Sequence, residues 1–225
     1  LMHRAEQLDN LYIFKNTEGT PENIRKFHPN IIVSSTGSAP LLPPIAGLKD
    51  RIDNENHNIY SILGMISHIN DFPKDLEGKK VVVVGGGAVG LDVVEFFADR
   101  NADISIVEMM DQIGRDLDPV SKNDTKTMMK KHNVHQLTKT ALLEVKDSSF
   151  LVRGDGEPYE LPFEYGFVCL GMRAQGQLYQ NLTEEFSSED VEIINIGDSQ
   201  RARRIIDGTQ EGRNVLTVLE QKGYL

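Results

Sequence analysis

At 225 residues, with 39% hydrophobic and 26% charged side chains, the chain has the makeup of a globular protein with room for one large or two modest domains. Its formal net charge is -10 and no run of lysine and arginine is dense, which argues against a nucleic-acid or anionic-membrane surface and favours small-molecule partners. Nothing approaches the roughly 18 apolar residues of a membrane span, and the opening LMHRAEQLDN lacks a signal-peptide core, so no membrane partner and a cytoplasmic location are expected. A single cysteine, Cys169 in FVCLG, leaves no disulfide or redox-active cysteine pair within these residues.

The first residues read as the tail of a helix. LYIF (11–14) then reads as a strand, PENIRKF (21–27) as a helix with Thr20 as N-cap and Pro21 in its first turn, and NIIVSST (30–36) as a second strand ending at Gly37. The proline-rich APLLPPIAGL can continue neither helix nor central strand, so it marks a connection, with a domain boundary near residue 75. From Gly78 the pattern is strand 80–84, helix 88–100, strand 103–107, loop EMMDQIGRDLD, helix 119–132 and strand 134–138. ALLEV, SFLVRG and PYELP read as an antiparallel meander before EYGFVCLGM returns to a buried strand. VEIINIGD gives one more strand and ARRIIDGTQEGRNVLTVLEQKG a long helix, too little to fold alone and therefore expected to dock on the first 72 residues.

Within KKVVVVGGGAVGLDVVEFF, four consecutive valines describe a strand buried on both faces, and Val89, Val93, Phe96 and Phe97 recur at helical spacing. Gly85, Gly87 and Gly90 form G-x-G-x-x-G between them. Unpaired N–H groups and partial positive charge at the helix start stabilise a pyrophosphate, and the glycines admit its close approach. Gly85 serves the tight turn, Gly87 the approach and Gly90 the packing of helix on strand. The expected acidic partner is Glu108, 18 positions after Gly90 at the end of DISIV, placed to bind the adenosine ribose. A nicotinamide dinucleotide bound along Gly85, Gly86, Gly87, Ala88, Val89 and Gly90 follows from this pattern, with NADH preferred to NADPH because of Glu108.

The run VVVVGGGAVGLDVVEFFADRNADISIVEMMDQIGRDLDP resembles the NAD(P)H-binding domain in the C-terminal half of flavin oxidoreductases of the 2,4-dienoyl-CoA reductase, enoate reductase and trimethylamine dehydrogenase type. IIVSSTGSAPLLPPIAGL is similar to that family's ATG segment, VCLGMRAQ to the end of its NAD domain, and VEIINIGDSQRARRIIDGTQEG to its final FAD motif. The resemblance implies an α/β, glutathione-reductase-like fold in which a Rossmann-like NAD(H)-binding domain (76–177) is inserted in a partial FAD-binding domain (1–75 and 178–225). It assigns Thr36 and Gly37 to the turn passing FAD, Gly197 and Asp198 to the motif holding a ribityl hydroxyl, and Gly171 to a backbone approach to the cofactor. Asp92 falls where the family has glutamate. No G-x-G-x-x-G precedes residue 37, so the chain reads as a C-terminal fragment, with FAD incompletely held and a flavin domain upstream in the same polypeptide. The resemblance also implies FMN and an iron-sulfur cluster in that upstream part, and the single cysteine here cannot make the cluster.

The activity implied is hydride transfer from NADH to FAD, which asks orientation and electrostatics of the protein and names no catalytic residue. The alternatives are a non-catalytic nucleotide-binding module and a stand-alone NADH-dependent electron-transfer reductase. His132 and His135 lack a third ligand nearby and no metal site is expected. Arg201, Arg203 and Arg204 read as a solvated basic patch or a flavin or domain contact.

Overall fold

The computed structural model describes residues 7–224. In chain order its elements are α1 (Pro21–Arg25), β1 (Ile31–Ser34), β2 (Ser38–Pro40), α2 (Leu48–Arg51), β3 (Ile59–Tyr60), α3 (Ile62–Ser67), β4 (Lys80–Val84), α4 (Ala88–Ala98), β5 (Asp103–Val107) and α5 (Pro119–Lys131). There follow β6 (His135–Leu137), β7 (Ala141–Val145), β8 (Ser149–Arg153), β9 (Tyr159–Pro162), β10 (Tyr165–Val168), β11 (Met172–Ala174), α6 (Gln177–Glu185), β12 (Glu192–Asn195) and α7 (Ile205–Gln221). The chain divides into two compact units. One comprises residues 39–173; the other combines the residues up to Ser38 with those from Ala174 onward.

The 39–173 unit is built on a five-stranded sheet in the order β3-β10-β4-β5-β6, parallel throughout. Its central strand carries the valine run, and Val81 to Val84 are all buried, because helices cover one face and the antiparallel sheet β7-β8-β9 the other. Val81 and Val83 join Val93, Val94 and Phe97 of α4 in one core; Val82 and Val84 join Phe150 and Val152 of β8 in the second. Gly166 marks how close the two sheets come, since a Cβ there would lie 2.7 Å from the Phe150 ring and 2.8 Å from that of Phe163. The register pairs Val84 with both Val107 and Val168, so three strands end level at their carboxyl ends.

The units divide after Ser38, and not near residue 75 as the prolines suggest. Leu48 and Ile59 are fully buried in the second core, Ala46 C=O accepts Val145 N–H at 2.8 Å, and a Cβ on Gly47, at φ +73°, would collide with the Val145 carbonyl. The rings of Tyr60 and Phe72 pack 5.6 Å from Phe167 and 5.2 Å from Phe97. The proline-rich run thus ends in apolar residues that the nucleotide-motif unit buries. The residues that follow it, up to 67, form α2, β3 and α3, which their composition conceals.

In the other unit β1 and β12 pair in parallel, Ile31 with Glu192 through Ser34 with Asn195. Thr20 caps α1 by accepting Asn23 N–H at 3.2 Å, with Pro21 in the first turn as expected. Ile32 packs with Leu182 and Phe186, and Arg25 pairs with Glu185 at 2.8 Å while covering the Phe186 ring. LYIF is not a strand: among the described residues it has no ladder partner, and Leu11, Tyr12, Ile13 and Phe14 are all exposed. The expected opening helix tail falls largely on residues 1–6, outside the described residues, and residues 7–10 form turns.

Phe72→Ala should destabilise the 39–173 unit by about 3–5 kcal/mol, the usual cost of truncating a buried ring. Hydrogen exchange at Val81–Val84 amides checks this. Protection lost there in the variant places residues 39–75 in the fold of the parallel sheet; unchanged protection refutes it.

Candidate functional site

The valine strand ends in the glycine turn because nothing larger fits. Gly85 has φ +108°, and a Cβ on it would collide with the carbonyl oxygen of Cys169 at the end of β10. A Cβ on Gly90 would collide with the carbonyl of Gly85, so α4 starts directly against the strand end. Gly87 differs. It is the N-cap of α4 in extended conformation, no side chain caps the helix, and a Cβ there would meet no protein atom within 4 Å. The first N–H groups of α4 therefore face open space with their partial positive charge uncompensated by a capping side chain.

The loop after β5 is fastened to this turn. Gly114 N–H donates to Gly86 C=O at 2.7 Å. The Glu108 carboxylate accepts the N–H of Gly86 through Oε2 and that of Met110 through Oε1, both at 2.7 Å. Its backbone is fixed in turn, with Glu108 N–H on Leu137 C=O and Thr140 N–H on Glu108 C=O, both at 2.9 Å. Downstream, Asp118 caps α5 by accepting Val120 N–H at 2.9 Å and Ser121 N–H at 3.1 Å, and the bond from the Ser121 hydroxyl first, then these backbone bonds, depress its pKa.

These elements surround a cleft of about 560 Å³ at the carboxyl ends of the strands. Gly85, Gly87, Ala88, Val89, Glu108 and Gly171 all line it. Gly171, at φ +101° with no atom near its Cβ position, leaves the wall bare, and its carbonyl accepts Leu41 N–H at 2.9 Å. Apolar surface comes from Ile45, Val107 and Leu142, of which Ile45 lies in the proline-rich run and carries no sequence signal for the site. Gly86 and Gly90 stand behind the cleft, one as donor to Glu108 and the other as packing point. Bare backbone donors, an open Gly87, a fixed carboxylate and apolar walls suit a molecule with a diphosphate between sugar and flat rings.

Asp92 does not line this cleft. It faces a neighbouring hollow with Glu95, Ser121 and Asp124, where desolvation raises its pKa although the side chain is exposed. Cys169 follows β10 at the wall of the cleft but is largely buried, and burial first, then the Asp92 charge, pushes its thiol up from 9.0 to about 12.

In the other unit, Gly37 has φ +75° and its carbonyl accepts Gln175 N–H at 3.0 Å, while the Thr36 hydroxyl donates to Gln175 C=O at 2.6 Å. The Asp198 carboxylate accepts the Ser38 hydroxyl at 3.0 Å and Arg203 N–H at 3.1 Å, which brings Thr36–Ser38 and Gly197–Asp198 together beyond the paired ends of β1 and β12. Gly197, at φ +67°, donates its N–H at 2.6 Å to Glu211, which also pairs with Arg203. Arg204 lies against Asp207 at 3.6 Å and Arg201 is exposed. Among the described residues no group of three or more His, Cys, Asp or Glu could hold a metal, and no helix is long and apolar enough to cross a membrane.

A parallel sheet whose central strand runs through a glycine turn into a helix, facing a cleft at the strand ends, defines a dinucleotide-binding α/β fold. Residues 9–195 match the model of the pyridine nucleotide-disulphide oxidoreductase family, and the chain belongs to that family. It is 26% identical over 235 residues to a metal reductase of Desulforamulus reducens, covering 88% of this chain and 32% of that protein. It is 26% identical over 195 residues to an NADH oxidase of Thermoanaerobacter brockii, covering 86% of this chain and 28% of the relative. A 2-naphthoyl-CoA reductase shares the fold with a TM-score of 0.71 and 22% identity, over 88% of this chain and 28% of the other. Histamine dehydrogenase from Rhizobium sp. 4-9 does so with a TM-score of 0.73 and 14% identity, over 95% and 35%. The chain spans about a third, or less, of the length of these two relatives.

The Cys169 thiol should resist modification by a thiol-specific disulfide reagent at pH 8 in the folded protein and react fully once denatured. Because its folded pKa lies above the ordinary value of 9.0, the contribution to stability is complete below that pH and is lost as pH rises toward about 12. Rapid labelling without denaturant would contradict both expectations.

Proposed function

We propose that this chain is the nicotinamide-binding module, with part of the FAD-binding domain, of an NADH-dependent flavin oxidoreductase of the 2,4-dienoyl-CoA reductase, enoate reductase and trimethylamine dehydrogenase type. The observation that carries the reading is the Gly85–Gly90 turn with Glu108 fixed beside it. A nicotinamide dinucleotide supplies a hydride when bound, and a flavin accepts it. The chain's own share is to hold and orient. The N–H groups of Ala88 and Val89 face the diphosphate, with Gly87 leaving it room. Glu108 accepts ribose hydroxyls on the lone pairs its backbone bonds leave free, and the bare wall at Gly171 admits the nicotinamide end.

NADH is assigned to the 76–177 stretch, which lies largely in the compact 39–173 unit. Thr36, Gly37, Gly197 and Asp198, in the other unit, are assigned to FAD, whose ribityl hydroxyl Asp198 would accept. The relatives named metal reductase and NADH oxidase, each longer than this chain, support a reductase of several domains. We assign FMN, an iron-sulfur centre and a further flavin domain to sequence preceding this stretch, and the cytoplasm as the location.

A substitution at Gly87 separates binding from folding. Valine there meets no protein atom, so Gly87→Val should melt with wild type while losing several kcal/mol of NADH affinity, as the side chain enters the space of the diphosphate. Titration calorimetry with unchanged NADH affinity in the folded variant would remove the turn from the site.

Glu108 sets the choice of nucleotide. Charge-assisted bonds to ribose contribute about 1.5–3 kcal/mol, whereas a 2'-phosphate charge about 4 Å from the carboxylate is repelled by about 4 kcal/mol at an effective dielectric of 20. NADH should bind at least about tenfold more tightly than NADPH, since about 1.4 kcal/mol already gives that ratio. Glu108→Gln should narrow the gap chiefly by weakening NADH. Calorimetry on both proteins checks it, and tighter NADPH binding by wild type refutes it.

A further inference from the structure

The loop between β5 and α5 contributes a second carboxylate to the cleft. Asp116 lines it beside Glu108, Met109 and Met110, whereas its neighbour Arg115, the cation best placed in sequence to receive a 2'-phosphate, does not. The described lining contains no lysine or arginine. Asp116 is exposed, and among the described residues no hydrogen bond or ion pair engages its carboxylate, so it is available to act on a charged group placed close beside it, and solvent screens it from more distant ones. Its place in the chain is nevertheless fixed from both sides. Gly114, two residues before, is buried at φ +66° and bound to Gly86, and Leu117, directly after, packs against the main core while Asp118 caps α5. A loop pinned at both ends cannot readily turn Arg115 in and Asp116 out, because that exchange would break the Gly114 bond or unseat Leu117.

We infer that Asp116 is a second specificity-determining residue, which excludes nucleotides bearing a 2'-phosphate without contributing to NADH binding. This rests on the dinucleotide reading of the cleft given above. The two carboxylates divide the work. Glu108, tied to backbone N–H groups, both attracts ribose hydroxyls and repels phosphate. Asp116, unpaired, has only the repulsive effect, and because it is solvent-exposed that effect is screened by salt.

The test is calorimetric titration of NADH and NADPH into the 225-residue chain and its Asp116→Asn and Asp116→Glu variants, at low and high salt, with thermal melting as the folding control. Asp116→Asn should tighten NADPH by about three- to tenfold at low salt, as expected for one screened unit charge facing a dianion, and leave NADH unchanged. Asp116→Glu should keep wild-type discrimination, and high salt should shrink the gain. NADPH affinity unmoved by Asp116→Asn, or NADH and NADPH shifting together, overturns the role of Asp116 while wild-type binding of NADH leaves the cleft reading intact. Wild type binding neither nucleotide overturns the cleft reading and this inference with it.

Discussion

The close approach of the glycine turn to its own neighbours governs the rest of the nucleotide-motif unit. Gly85 lies against the Cys169 carbonyl and Gly90 against that of Gly85, so β4 passes into α4 through a turn of only three residues, Gly85 to Gly87. Two consequences follow from this compression. The helix start comes directly over the level ends of β4, β5 and β10, and Gly86 is left with its N–H free for Glu108 and its C=O free for Gly114. A single side chain larger than hydrogen at Gly85 or Gly90 would open the turn and release both the carboxylate and the following loop. The floor, lip and charge of the cleft are thus set by one steric fact about backbone.

The two carboxylates and the helix start also explain how an acidic chain can suit an anionic ligand. Net charge of -10 is a property of the whole surface, whereas binding responds to what faces the cleft. There the uncapped N–H groups of α4 supply positive potential over a few ångströms, enough for a diphosphate. Glu108 and Asp116 line the same cleft, where the proposed dinucleotide would present its ribose. On the proposed reading, attraction at the helix start and repulsion at the two carboxylates would together select for where charge lies along the ligand.

Legibility followed the range of the interactions. The β4-turn-α4-β5 unit could be read because its pattern is local and repetitive: four valines buried on both faces, then apolar residues at helical spacing. The meander β7-β8-β9 was legible for the same reason. Residues 39–75 were not, because their elements are four, two and six residues long and are held by distant partners, Ala46 by Val145 and Phe72 by Phe97. Prolines at 40, 43 and 44 spoke for a connection, while the burial of Leu48 and Ile59 decided for core. LYIF failed in the opposite direction. Its composition suits a strand, but propensity without a ladder partner leaves the residues exposed. Helix α6 escaped notice because QLYQNLTEE begins without a capping side chain and buries chiefly Leu182.

At the candidate sites the same distinction holds. Glu108 was legible because a strand end has a defined position relative to a glycine turn. Ile45 and Asp116 were not, since both reach the cleft from irregular segments whose course depends on tertiary bonds. Cys169 shows why a family whose description includes disulphide need not use thiol chemistry at every cysteine of a member. The sulfur lies among buried residues, its ionisation is opposed by desolvation and by Asp92, and the Cys169 backbone carbonyl forms the contact that fixes Gly85. At this position the backbone does the shaping, and a side chain that is small, apolar in behaviour and neutral at physiological pH is what the packing behind the turn requires.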